Sequence, residues 1–218
     1  MAKRAFVGGY RWVFGLLDLA ILGESVSLAL QQGKTVADQV SYFTFLSNLL
    51  ATVVLLAGAW PWTGRDSRIY DLLRVAATTY MVITGIVYNL LLSHTLLGMS
   101  ARVNTVHHRI MPVVMVLDRL IDPVKQRPTR RARLLVPLLP LLYVVYTEVR
   151  GLAVNWYPYY FLDPRPHGYG RVALYVGAMI VSGALYKLGT TFVGRAVARR
   201  RRGRADRPGR PPGHDGDQ

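Results

Sequence analysis

The residues able to do chemistry gather in a few short segments. Thr44, Ser47, Asn48 and Thr52 recur at steps of three and four in an otherwise apolar run, which puts them on one stripe of a helix. Asn104, His107, His108 and Arg109 open a second apolar run, and Met111, Val114, Met115 and Asp118 continue the face begun by His107. A hydroxyl and an imidazole at one depth in a partly dry bundle suffice for nucleophilic acyl transfer, the ring taking the hydroxyl proton as oxygen attacks a carbonyl. Thr44 is then the candidate nucleophile and His107 the candidate base. His108 leaves the choice of ring open by one position, about 100° around the helix. Ser47, Asn48 and Asn104 are candidate oxyanion donors, and Glu148 has the depth to orient the imidazole. Asp118 lies about 16 Å along the helix from His107, too far to do so. Tyr88, Asn89, His108, Met111, Trp156 and Tyr157 complete a candidate substrate-binding surface. The plainer readings are a threonine bonding the carbonyl one turn back and a structural histidine pair.

The elements that must carry these residues follow from composition. Of 218 residues, 51% are hydrophobic and 18% charged, too apolar for an ordinary soluble domain. Residues 39–64 and 75–101 hold no Asp, Glu, Lys or Arg, and each run exceeds the ~20 residues needed to cross ~30 Å of hydrocarbon. Four weaker runs bring the expected spans to six, at about 12–31, 40–60, 72–93, 105–122, 134–153 and 170–193. Short connections between them predict one all-α membrane bundle over residues 1–194. Lys3, Arg4 and Arg11, the 61–74 connection, the 119–133 connection and the tail carry most of the basic residues; the opposite side has Lys34, Arg102, Arg165 and Arg171. By the positive-inside rule both termini are cytoplasmic. Phe43, Leu46, Leu49, Leu50, Val53 and Val54 are expected to face lipid, leaving Thr44 toward the bundle.

The formal charge of +15 is therefore read as membrane topology, with no nucleic-acid partner. Residues 195–218, rich in Arg, Gly and Pro, read as a disordered basic cytoplasmic tail. No secretory signal peptide is evident. Cysteine is absent, so thiol chemistry and cysteine-ligated metals are excluded. Neither metal nor cofactor is expected at the Thr44 site. The usage of 23 Arg to 4 Lys points to a GC-rich bacterium and hence to a multi-pass protein of a bacterial inner membrane. Two other classes remain as alternatives: a non-catalytic small-solute carrier or partner subunit with a polar outer cavity, and, ranked last, haem binding through His94 with His107 or His108.

Tyr42-Phe43-Thr44-Phe45-Leu46-Ser47-Asn48, Asn104-Thr105-Val106-His107-His108-Arg109-Ile110-Met111-Pro112 and Trp156-Tyr157-Pro158 together resemble segments of the androgen-induced and androgen-dependent TFPI-regulating proteins, a family of multipass threonine hydrolases. The resemblance implies six helices, no metal, and hydrolysis of lipid esters in which a hydroxy fatty acid is acylated by a second fatty acid. Thr44 matches that family's nucleophile and His107, five residues before Pro112, its histidine. Asp118, followed by Pro123, falls where the family tends to carry an acid. The chain departs from the pattern at Ser47 and Asn48, the polar residue after the nucleophile coming one place late.

Overall fold

The computed structural model of the protein describes residues 2–60, 67–93, 100–126 and 129–205, and among these every element is a helix. The order is α1 (Ala2–Gln31), α2 (Val36–Val40), α3 (Phe43–Ala59), α4 (Arg68–Val87), α5 (Ala101–Thr105), α6 (Met111–Ile121), α7 (Arg130–Val154) and α8 (Gly168–Ala205). π turns at Tyr88–Leu92 and Val106–Ile110 extend α4 and join α5 to α6. A 3-10 turn at Tyr160–Leu162 precedes α8. Hydroxyl caps start several helices: Ser67 accepts from the Tyr70 N–H, Ser100 from that of Val103 and Thr129 from that of Ala132.

Among the described residues four helices are long and apolar enough to cross a membrane: Ala2–Gln31, Arg68–Leu92, Arg130–Val154 and Gly168–Tyr186. Phe43–Ala59 is apolar but only 17 residues long. The stretch 101–121 carries Arg102, Arg109, Asp118 and Arg119 and is not one of the four. The first helix begins ten residues before the expected span, because Lys3 to Arg11 contains no helix breaker beyond Gly8 and Gly9.

The core of the bundle is built where small residues let backbones approach. Ala51 and Leu55 of α3, Ala77 and Met81 of α4, and Met111 and Met115 of α6 are fully buried together. A Cβ at Gly15 would lie 2.6 Å from the Leu56 side chain, so glycine there lets that leucine of α3 pack directly on α1. Leu46, Leu49 and Val53 of α3 are exposed as expected of a lipid face, whereas Val54 is buried in the core. The stripe from Thr44 widens at that point as α4 and α1 close over it.

One end of the bundle is tied by charge. Arg11, only 1% exposed, bonds Asp118 Oδ1 at 2.6 Å and Asp122 Oδ2 at 2.9 Å. Arg74 reaches Asp118 Oδ2 at 2.8 Å and the Asp122 carbonyl at 2.5 Å. Arg11 and Arg74, which the topology count treats as surface charges, are thus interior ties holding α1 and α4 to α6.

The chain divides into two units, residues 1–183 and 184–218. In the second, helix continues to Ala205, past the residue 195 boundary where disorder is expected. Alanine and arginine are good helix formers, and the first proline of the tail comes only at Pro208. Residues 206–218 lie outside the described part.

Candidate active site at the start of α3

Thr44 occupies the second position of α3, where backbone N–H groups have no acceptor within the helix. The Tyr42 side chain does not cap this end. Tyr159, delivered by the segment before α8, does so from outside: its hydroxyl accepts the Thr44 N–H at 3.1 Å. The same hydroxyl lies 3.1 Å from Thr44 Oγ1, and with a lone pair taken by the N–H its hydrogen is available to that oxygen. Thr44 Oγ1 lies 3.3 Å from His108 Nε2.

The other ring nitrogen, His108 Nδ1, lies 3.2 Å from the Asn104 carbonyl oxygen. A carbonyl only accepts, so this contact places the proton on Nδ1 and leaves Nε2 as acceptor for the threonine hydroxyl. Tyr88 stacks on the imidazole at 4.2 Å and holds its plane. Both π turns meet here, one carrying Tyr88 and the other His108. Pro112 lacks the N–H that an α-helix would offer to the His108 carbonyl, and the wider turn lies directly before it. Gly85 of α4 faces Pro112, where a Cβ would stand 3.2 Å from the proline ring.

The ring within hydrogen-bond distance of Thr44 Oγ1 is therefore His108 and not the expected His107. One residue further back, His107 turns toward α1, its Nε2 3.6 Å from Asp18 Oδ1. Thr52 donates to the other Asp18 oxygen at 2.8 Å. Asp18 and His107 are fully buried, and the two facing atoms have no hydrogen-bond partner. His107 still lines the Thr44 cavity.

The expected oxyanion donors are committed elsewhere. Asn48 Nδ2 donates to the Thr44 carbonyl at 2.8 Å and Ser47 Oγ to the same oxygen at 3.1 Å, both bracing the Thr44 backbone. Ser47 also meets Thr84 Oγ1 at 3.0 Å. Asn104 Nδ2 donates to the Tyr88 hydroxyl at 2.6 Å, while its backbone carbonyl does the orienting expected of Glu148. Glu148 on α7 does not line the Thr44 cavity. Its carboxylate oxygens are buried without a hydrogen bond.

Of the expected binding residues, Tyr88 and His108 meet at the site, and Asn89 lines a neighbouring trough. Met111 is core and has no exposure. Trp156 packs edge-on against Tyr42 at 5.8 Å and under Arg150; Tyr157 covers Gly151 and lies under Arg165. Neither lines the cavity, which takes Tyr159 instead. The chain bends at Pro158 and Tyr159, so Tyr157 packs on Gly151 of α7 while Tyr159 reaches α3. Asp18 and Tyr159 are the residues that sequence reasoning left out of the site. His94, the proposed haem ligand, lies outside the described residues.

The cavity that joins Thr44, His107, His108 and Tyr159 has a volume of about 40 Å³, enough for a water molecule. Ser25, Gln32 and Lys34 form its rim. The described residues contain no cluster of three or more His, Asp or Glu side chains that would hold a metal. No family model matches the chain, nor does any curated protein or solved structure.

Proposed function

We propose that the protein is an intramembrane hydrolase of lipid esters, of the type in which a hydroxy fatty acid carries a second fatty acid, acting through Thr44 as nucleophile and His108 as base. The observation that carries this is the 3.3 Å approach of Thr44 Oγ1 to an imidazole nitrogen whose opposite nitrogen is already committed as donor. In the first step Thr44 Oγ forms a bond to the ester carbonyl carbon while its proton passes to His108 Nε2. The tetrahedral oxyanion meets the Tyr159 O–H at the start of α3, at the positive end of the helix dipole. Collapse breaks the bond to the alcohol oxygen, which takes the proton from His108. Water then repeats the sequence against the acyl-threonine, delivering its proton through His108 to the departing Thr44 oxygen and freeing the acid.

The same proposal places six helices across a cell membrane of bacterial type, both termini cytoplasmic, with Phe43–Ala59 and the 101–121 stretch as the two spans beyond the four long ones. The asymmetry of Lys and Arg between connections supports it, as does the likeness of the Thr44, His107 and Trp156 segments to the threonine hydrolases. The substrate is then a long-chain ester drawn from the bilayer, without metal or cofactor.

A cavity of about 40 Å³ does not hold an ester carbonyl with its two chains, so turnover requires the site to open. That same closure favours a second reading, a non-catalytic carrier or partner subunit in which the polar cluster only binds. Purified protein assayed in detergent for hydrolysis of a long-chain acyl ester separates the two. Turnover by the wild type that is lost in Thr44→Ala and His108→Ala supports the hydrolase; equal rates in all three overturn it.

A further inference from the structure

Beside the Thr44 cavity, and meeting it at His108, an open trough of about 590 Å³ runs between α4 and the 106–117 stretch. Its volume lies in the range of sites that take one small-molecule ligand. The floor is the close meeting of Gly85 with Pro112, which a side chain at Gly85 would fill. The trough has two distinct ends. Asn89, His108 and Arg109 stand at one, and Val82, Val116 and Leu117 at the other, with Val113 and Ile86 between them. At 1.5 Å per residue the step from His108 to Leu117 is roughly 13 Å, so the trough is long and its polar residues lie at a single end.

Arg109 is the unusual member. It is exposed on an otherwise apolar helical wall, and among the described residues no acidic side chain pairs with it. A cation facing lipid is costly and is retained where it meets an anion or lines a functional path. Its planar donor fork fits a carboxylate through two parallel hydrogen bonds. We infer that this trough binds the carboxylate of a single-chain fatty acid, with Arg109 holding the head and the Val82 to Leu117 walls holding the tail. Charge at one end favours an anion, and one carboxylate on a single apolar tail matches a trough that is charged at one end and apolar along the rest. The site stands apart from the hydrolase reading, because neither Thr44 nor any bond-breaking step is needed to fill it.

The test is equilibrium binding of a fluorescent long-chain fatty acid to the full chain in phosphatidylcholine nanodiscs, with unlabelled competitors. Oleate is expected to displace the probe, methyl oleate to fail, and oleyl phosphate to compete no better than oleate. Arg109→Gln is expected to weaken binding about tenfold or more, the scale of a lost charged hydrogen-bond pair. Val113→Trp, which fills the trough while keeping the guanidinium, is expected to abolish it. Thr44→Ala is expected to bind as the wild type does, so failure of the hydrolase reading leaves this result intact. Unchanged affinity in Arg109→Gln and Val113→Trp, or displacement by methyl oleate equal to that by oleate, overturns the proposal; preference for oleyl phosphate overturns the choice of carboxylate.

Discussion

The two polar clusters of the bundle, one around Asp118 and one around Thr44, are equally buried but differently finished. At the Asp118 end both carboxylate oxygens are taken, by Arg11 and by Arg74, and these arginines also reach backbone carbonyls. At the Thr44 end Asp18 Oδ1, His107 Nε2, Asn48 Oδ1 and Asn104 Oδ1 are buried without a partner. At the Asp118 end one such atom, Asp71 Oδ1, lies 3.6 Å from the Arg74 guanidinium, so the cost in free energy of unpaired burial falls mainly on the Thr44 end. The difference separates architecture from chemistry: a satisfied network fixes helix positions, whereas unused capacity beside a threonine and an imidazole is what a reacting group needs.

Substitutions can break that comparison. The largest expected effect is on turnover: Thr44→Ala and His108→Ala lower the ester hydrolysis rate by about four orders of magnitude or more while leaving thermal stability near that of the wild type. His107→Ala retains most of the rate, because its ring faces Asp18. Asp118→Asn works the other way. It removes the counter-charge shared by two buried guanidinium groups, leaving Arg11 to Asp122 and Arg74 to Asp71, and is expected to cost about 3–5 kcal/mol of stability, read by denaturant titration in detergent. An Asp118→Asn protein as stable as the wild type would end the assignment of that end as structural.

Smaller effects sharpen the picture. Tyr159→Phe keeps the ring packed against Tyr42 and removes only the hydroxyl, and is expected to lower kcat by about 10²-fold with little change in KM. A loss of stability without a loss of kcat would make Tyr159 a helix cap alone. The smallest effect belongs to Asp38, between the first spans. The Thr35 N–H, and then the Arg150 guanidinium at 2.6 Å, hold its carboxyl below the ordinary value of 3.8. A lowered folded value adds stability at higher pH that is lost as pH falls through that value. Asp38→Asn is therefore expected to lower the thermal midpoint slightly near pH 7, with the difference from the wild type closing as pH falls below 3.8.

Sequence pattern alone carried the all-helical fold and the stripe bearing Thr44, since both follow from the spacing of polar residues in uncharged runs. It could not decide between His107 and His108. Adjacent residues differ by about 100° on a helix, and the π turn before Pro112 resets the register in a way no periodicity records. Arg11 and Arg74 were misplaced for another reason: arginine near a span end ordinarily lies at the membrane surface, and only tertiary contact with Asp118 draws these two inside. Tyr159 was visible as one of several aromatics in a row, but which of them reaches α3 depends on the path of the chain between Asn155 and Gly168. Ser47 and Asn48 were placed on the correct face, yet the Thr44 carbonyl one turn back claims both.

The central claim is that Thr44 and His108 form one reactive pair. Treating the purified protein with a fluorophosphonate and mapping the adduct by peptide mass spectrometry tests this directly, since attack by Thr44 Oγ forms the oxygen–phosphorus bond and expels fluoride only when a base takes the hydroxyl proton. The expected result is an adduct on Thr44 in the wild type and in His107→Ala, and none in His108→Ala. No adduct on Thr44 in the wild type, or equal labelling in His108→Ala, would contradict the account.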